Sequence, residues 1–388
     1  MRPFLEELQD QIHQLRRQDL ERRLEIERGI DFTSNDYLGL SKSPELQRRL
    51  LERLAEESEF GLGAPSSRLL RGHTEAHRRL ETRLASWKGT EAALLFPSGY
   101  QANLGILSTL IGPRDRVLSD EFNHASLIDG LRLSRGHKVI FPHRDLQAVE
   151  AALAEPFPGG RTFLVTESLF SMDGTLAPVA KYAELTQNYG AELIVDEAHA
   201  TGLYGERGSG LAEAEGITSK TLALISTGGK ALGVSGAFVA GSQTLIDYLI
   251  QRCRAFIFST AVPPLLVEAL RTALDLVEEN PERRRRVLEL ADALRSRLRE
   301  AGYDVPGDPS PIVPIVLGEN LRALEVARSL QEQGFDVRAV RPPTVPEGTT
   351  RLRLSVHADH REEDLNRLVE ALTQAVRDTH SQEVTACP

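Results

Sequence analysis

From Leu80 onward the chain repeats one pattern. Short, mostly apolar, β-leaning runs (EAALLF, DRVLSD, HKVIF, TFLVTES, AELIVDEAH, LALIST and AFVAG) follow one another, and helix-like segments such as ANLGILSTLI and LAPVAKYAELTQNYG separate most of them. Runs apolar on both faces predict a sheet covered by helices on both sides. Alternating strand and helix patterns predict an α/β fold with a doubly wound, mainly parallel sheet. Such sheets bind ligands in the loops beyond the strands' C-terminal ends. The residues that follow each run are therefore the candidates for chemistry.

At 388 residues the chain suits a large domain plus a smaller one. The first segment, FLEELQDQIHQLRRQDLERRLEI, has helical spacing of apolar residues and predicts an amphipathic helix. DFTSNDYLGL then reads as a short strand and turn. After STAVPP comes a long helical region, whose arginine run in EENPERRRRVLEL is expected to be an exposed helix face. Near residue 300 the pattern restarts with SPIVPIVL, LRALEVARSLQEQG, DVRAV and RLRLSV, which predicts a small α+β domain. The expected organisation is an N-terminal helix and arm over 1–45, a large domain over 46–280 and a small C-terminal domain over 281–388. The tail TACP is expected to fray.

The formal net charge of −10 argues against a general binder of nucleic acid or anionic membrane, since such binding is driven by basic surface. The two cysteines, Cys253 and Cys387, are far apart and show no metal-ligand pattern, so neither a disulfide framework nor a zinc site is expected. No apolar run is long enough to span a bilayer, and MRPFLEELQDQIHQL lacks the apolar core of a secretory signal. The expectation is a cytoplasmic protein.

STGGKALGVSG places one lysine, Lys230, among glycines and hydroxyl residues. It could grip a nucleotide phosphate, carry a covalent cofactor or simply be solvated in a turn. The nucleotide reading fails on spacing. A P-loop needs a glycine where Leu224 stands and a Ser or Thr where Ala231 stands. DEAH, Asp196 to His199, imitates a helicase box, but here the acidic strand precedes the lysine loop, the reverse of the order such enzymes use.

The other strand ends make a better set. Asp196 closes an apolar run, and a buried carboxylate needs a cationic or hydrogen-bonding partner. It could equally cap a helix, with His199 packed beside it. Ser98-Gly99-Tyr100 follows one strand and opens a helix, where backbone N–H groups can hold a phosphate. His124 follows another strand. A lysine, a carboxylate, two histidines and a phosphate cradle together suit pyridoxal 5′-phosphate (PLP). Its aldehyde forms a Schiff base with a lysine, its pyridine nitrogen needs an acidic partner, and its ring is an electron sink for a carbanion at a substrate Cα.

At these residues the sequence resembles the α-oxoamine synthases, a family of fold-type-I PLP enzymes. The match runs through SNDYLGL, FPSGYQAN, NHASLIDG, TESLFSMDGTLAP, VDEAHATGLYGERGSG, STGGKALGVSGAFVAGS, FIFSTAVPP and RPPTVPEGTTRLRLSVHA. The resemblance implies that Lys230 carries the cofactor and that Asp196 partners its ring nitrogen. It implies that His124 stacks on the ring, that Ser171 and His199 reach the ring and 3-oxygen, and that Thr227, with the Gly99 and Tyr100 amides, holds the phosphate. Thr260 matches a hydroxyl that reaches the neighbouring subunit's phosphate, which implies a homodimer with shared active sites. Asn35 and Arg353 match groups that bind the amino-acid carboxylate; a planar guanidinium fork suits that task. Thr344 falls at a substrate position, and Arg22 matches an N-terminal arginine near the acyl substrate. The C-terminal motif is most similar to the biotin-pathway member, which joins L-alanine to pimeloyl-CoA or its carrier-protein form with loss of CO2. The alternatives are a glycine C-acetyltransferase and a non-catalytic PLP-binding regulator.

Overall fold

The computed structural model describes residues 3–56 and 61–385; Cys387 lies outside them, and Cys253 is a buried free thiol. The chain divides into two compact units. One comprises Asn35–Ser171 and Thr175–Arg286, the other Met1–Ser34, Met172–Gly174 and Val287–Pro388. The division falls between residues 286 and 287, beside an expected boundary at 280/281, and residues 1–34 group with the C-terminal portion.

Strand β1 is Ile30–Asp31. Each of the seven apolar runs then forms a strand: β2 (Ala92–Phe96), β3 (Arg116–Asp120), β4 (His137–Phe141), β5 (Thr162–Glu167), β6 (Glu192–Asp196), β7 (Ala223–Thr227) and β8 (Ala237–Gly241). They make one sheet in the order β2-β8-β7-β6-β5-β3-β4. All pairings are parallel except those of β8, which runs antiparallel to both β2 and β7. β2, β3 and β8 are buried along their whole length, as two-faced helix cover requires. The edge strand β4 instead exposes His137, Lys138 and Ile140, and its charge discourages pairing with another chain. On one face, Leu94, Phe96, Ile106, Val117, Leu127, Val165, Ile194, Ile225 and Val239 build a single core cluster. This is the helix-covered, mainly parallel α/β sheet that the sequence predicts.

β8 has a direct consequence for chemistry. Antiparallel neighbours need no helical crossover. β7 therefore returns to β8 through the short loop 228–236, which carries Lys230 and stands at the same sheet edge as the C-terminal ends of β2, β3, β5 and β6.

The second unit holds β9 (Ile312–Gly318), β10 (Phe335–Asp336), β11 (Ala339–Val340) and β12 (Thr350–Ser355). β11-β12-β9 form an antiparallel sheet, and β1 pairs in parallel with β10. The N-terminal helix stops at Arg17, short of the predicted length. Asp19 takes a positive φ of 55°, and Arg341 holds the following segment by donating to the carbonyls of Asp19 and Glu21. In the arginine run Arg285 and Arg286 are exposed as expected, and Arg284 departs from the expectation. Arg284 is buried and donates to the carbonyls of Val277 and Glu206, so it staples the large unit. Among the described residues no helix is long and apolar enough to cross a membrane, and no cluster of three or more His, Cys, Asp or Glu could hold a metal.

Two buried histidines make the fold acid-sensitive. In the large unit His77 Nδ1 accepts from the Thr74 amide at 3.3 Å, and Nε2 donates to the Val262 carbonyl at 2.9 Å. In the second unit His360 Nδ1 accepts from the His357 amide at 3.1 Å, and Nε2 donates to the Asp31 carbonyl at 2.8 Å. Each needs a neutral ring, and burial lowers both from 6.5 to about 4. An unfolded chain takes up protons at these positions as pH falls below 6.5, whereas the folded chain does not. Stability is thus full above this window and is lost as pH drops through it, by at most ~1.4 kcal/mol per histidine per pH unit. Calorimetric unfolding within the window should show excess proton uptake. Unfolding without it would mean that both rings are already charged in the fold.

Candidate active site

The large unit brings most of the candidate residues to the C-terminal edge of its sheet. Asp196 is the last residue of β6 and is 4% exposed. Its Oδ2 accepts from Asn103 Nδ2 at 2.6 Å, and its Oδ1 from the Ala198 amide at 2.8 Å. Neither contact supplies a cation, so a buried carboxylate sits on two neutral donors. Asn103 Nδ2 also donates to Ser126 Oγ at 2.9 Å, and Ser126 Oγ lies 2.7 Å from His124 Nδ1. One hydrogen-bonded chain thus runs from Asp196 to His124.

His124 caps the helix Ala125–Ser134 directly after β3, its Nδ1 accepting from the Ser126 amide at 3.2 Å. His124 is exposed by surface area, yet protein crowds around its ring. That crowding, together with Lys230, lowers its proton affinity against the pull of Asp196. The Tyr100 ring stands edge-on to it, with centroids 6.5 Å apart.

Lys230 is half-buried. Its loop is not a loose turn. Gly228 and Gly236 close it at 2.8 Å, Val234 donates back to Gly228 at 2.8 Å, and Gly233 donates to the Lys230 carbonyl at 2.8 Å. Gly233 adopts φ +65°, and a Cβ there would lie 2.4 Å from the Ser41 amide nitrogen, so only glycine fits. The small side chains let this loop pack against SNDYLGLS.

Thr227 ends β7. Its hydroxyl donates to the Gly236 carbonyl at 3.0 Å and accepts from the Gly229 amide at 3.2 Å. A Cβ on Gly99 would stand 3.7 Å from Thr227 Cβ, so the start of the helix Gly99–Leu110 and the Thr227 hydroxyl share one small space. Ser98 caps that helix by accepting from the Gln101 amide at 3.3 Å. His199 is buried, its Nδ1 2.7 Å from the Tyr37 hydroxyl, and that hydroxyl donates to Asn35 Oδ1 at 3.1 Å. Ser171 is buried in the segment after β5, whose Ser168 donates its amide to the Asp196 carbonyl at 2.8 Å.

Thr260 is exposed and bridges to Ser67, with no hydrogen bond to the residues above. In the second unit Arg353 is buried on β12 and donates to Ser355 Oγ at 2.7 Å. Thr344 and Arg22 are exposed there, and Arg341 links their segments: its carbonyl accepts from the Thr344 amide, and its guanidinium holds the Glu21 carbonyl. Sequence reasoning missed Tyr37, Asn103, Ser126 and Glu167. The motifs contained all four, but nothing in a linear pattern says which polar residue of a helix or strand points at Asp196.

These residues fit PLP. The buried Asp196 carboxylate is held by two neutral donors, the Asn103 Oδ1 beside it is buried without a partner, and a lysine faces the same edge. Helix amides and the Thr227 hydroxyl form an anion cradle. Lys230 could carry the aldehyde, Asp196 the ring nitrogen and Thr227 with Gly99 and Tyr100 the phosphate.

Residues 27–372 match the family "Aminotransferase class I and II". The chain is 45% identical over 379 residues to an 8-amino-7-oxononanoate synthase of Geobacter sulfurreducens, covering 94% of this chain and 96% of that one. The structure is similar to the 8-amino-7-oxononanoate synthase of Francisella tularensis (TM-score 0.78, 28% identity, covering 91% of this chain and 99% of that one). It is also similar to a serine palmitoyltransferase solved with PLP (TM-score 0.87, 27% identity, covering 97% of this chain and 98% of that one).

Proposed function

The chain belongs to the class I and II aminotransferase family, and we propose that within it the protein is a PLP-dependent acyltransferase that makes 8-amino-7-oxononanoate for biotin. It condenses L-alanine with a pimeloyl thioester, of CoA or of a carrier protein, and releases CO2 and the thiol. The observation that carries this reading is the 45% identity, over nearly the full length of both chains, to a synthase of that name. A homodimer with shared sites and a cytoplasmic location belong to the same reading; the exposure of Thr260 supports the first.

Bound PLP supplies an electron sink for negative charge at the amino acid's Cα. The chain's residues do the rest. The Asp196 carboxylate, fixed by Asn103 and the Ala198 amide, keeps a proton on the ring nitrogen by its charge. His124, fixed by Ser126, offers its ring to stack. His199, fixed by Tyr37, offers its Nε2 to the 3-oxygen. The Lys230 amine takes the Cα proton and returns it after decarboxylation. The closed loop around Lys230 limits where that amine can go, which is a positional contribution to rate. The motif match assigns Asn35 and Arg353 to the substrate carboxylate, Ser171 to the ring, and Thr344 and Arg22 to the substrate.

The test compares two substrate pairs under equal conditions. Alanine with pimeloyl-CoA should turn over faster than glycine with acetyl-CoA. A single methyl group separates the amino acids, so that part of the discrimination is worth about 1–3 kcal/mol, roughly 10- to 200-fold. Faster turnover of the glycine and acetyl pair would replace this assignment with glycine C-acetyltransferase. Binding of PLP without turnover of either pair would point to a regulator.

A further inference from the structure

Three neighbouring strands of this edge end in a carboxyl side chain, Asp120 on β3, Glu167 on β5 and Asp196 on β6. Glu167 closes β5 as Asp196 closes β6, and the two are register partners. In adjacent parallel strands such partners point to the same face, about 4.8 Å apart at the backbone. Glu167 is 3% exposed. Its surroundings are built. Its amide donates to Asn123 Oδ1 at 3.1 Å, and Asn123 Nδ2 is held by the Val165 carbonyl at 2.8 Å and Ser119 Oγ at 2.9 Å. The backbone amide of His124 lies near enough to favour the charged form of the Glu167 carboxyl, while Oε1 is buried without a hydrogen-bond partner.

The charged groups that face Glu167 come from three other elements: Asp196 on β6, Lys230 in the loop after β7 and Asp120 at the end of β3. Asp120 is already engaged, since it accepts from His143 Nδ1 at 2.9 Å and from the Phe122 and Arg144 amides. Burial first, and then Asp196, hold the Glu167 carboxyl well above the usual carboxylate range against the pull of Lys230 and the His124 amide. Two buried carboxylates side by side cannot both keep their charge. Asp196 has a donor on each oxygen, whereas Glu167 has one oxygen with none. The negative charge therefore rests on Asp196 and the proton on Glu167.

We propose that Glu167 is a further positioning residue of the active site, a neutral carboxylic acid that leaves Asp196 the only anion of the pair and fixes the backbone that carries His124. A single negative charge matches one protonated ring nitrogen. A second would hold a proton on Lys230, whose amine must be neutral to act as nucleophile and base. The proposal rests on the reading of Lys230 and Asp196 as the PLP site. It does not depend on which amino acid or thioester is used.

The experiment compares the holoenzyme with Glu167→Gln and Glu167→Ala. Glutamine has the shape and neutrality of the protonated acid, so Glu167→Gln should keep turnover within about threefold, while Glu167→Ala, which loses the contact to His124, should fall by more than about tenfold. Two readouts are independent of turnover. The infrared spectrum of the wild type at neutral pH should contain a protonated-carboxyl C=O band that Glu167→Gln lacks. In alkaline titration the bound cofactor's absorbance should show a transition that is missing in Glu167→Gln, because that variant has no proton to lose. Identical infrared spectra, or an unchanged absorbance titration, would overturn the proposal. So would a loss on the order of a hundredfold in Glu167→Gln with cofactor still bound, since an ionised oxygen would then be needed. Failure of the substrate assignment alone would leave the infrared band and the absorbance titration in place.

Discussion

Lys230→Ala should lose every trace of borohydride-reducible attachment of PLP to the protein, and with it turnover. The structure explains why Lys230 is the amine delivered to the site. The Lys230 loop is closed at both ends by backbone hydrogen bonds and packed through Gly233 onto the SNDYLGLS segment, so the amine is delivered to one place. Lys88, another lysine of the large unit, is fully buried and already paired. Its Nζ is 2.7 Å from Glu197 Oε2 and also donates to the Ser209 carbonyl. Moving it would leave Glu197 as a buried unpaired charge, which costs several kcal/mol. The fold of Lys230→Ala should survive, because the half-buried side chain is not part of the core cluster. Loss of a positioned nucleophile and base together should lower the rate by at least about ten-thousandfold. Mass spectrometry after reduction checks it. Cofactor still fixed to this variant would assign the attachment to another lysine.

Asp196→Asn should keep the fold and lose most of the rate. An amide is nearly the same size, and its carbonyl can still accept from the Ala198 amide. Its NH2, however, would face Asn103 Nδ2, a donor against a donor at 2.6 Å. Asn103 can relieve this by turning its own amide, since its Oδ1 is buried and without a partner. The cost in stability should thus be small. The cost in rate should not, because the variant has no charge with which to hold a proton on the ring nitrogen. Losing such a buried charge partner is worth several kcal/mol, on the order of a thousandfold in rate. The check is kcat beside a melting curve and the absorbance of bound PLP. Near-normal kcat would take the ring-nitrogen role away from Asp196.

Much of this protein could be read from its sequence because the relevant physics is local. Seven runs became seven strands, and those without a polar face, such as β2, β3 and β8, are buried on both sides, while the edge strand β4 is not. Asp196, Thr227, His124 and Lys230 were identifiable because each follows such a run, and the ends of parallel strands converge on one edge. The helical length of the first segment was misjudged because a periodic pattern does not reveal the competing bonds from Arg341, more than three hundred residues away. One residue of the arginine run, Arg284, departs from the exposed face for a similar reason. Charge predicts exposure, but Arg284 finds the Val277 and Glu206 carbonyls in the interior.

What only the tertiary structure decided is which residues are neighbours. The sheet order places β5 beside β6, so Glu167 lies next to Asp196 across 29 positions of sequence, and neither carboxyl's charge can be assigned without the other. Helix packing brings Asn103 to Asp196 and Tyr37 to His199, contacts that span 93 and 162 residues. The antiparallel pairing of β7 with β8 keeps the connection that carries Lys230 to a short, hydrogen-bonded loop. The sequence by itself determined the strands, the chemistry at their ends and the family. Periodicity and spacing are properties of one segment, whereas charge state, hydrogen-bond satisfaction and register depend on segments that meet only when the chain has folded.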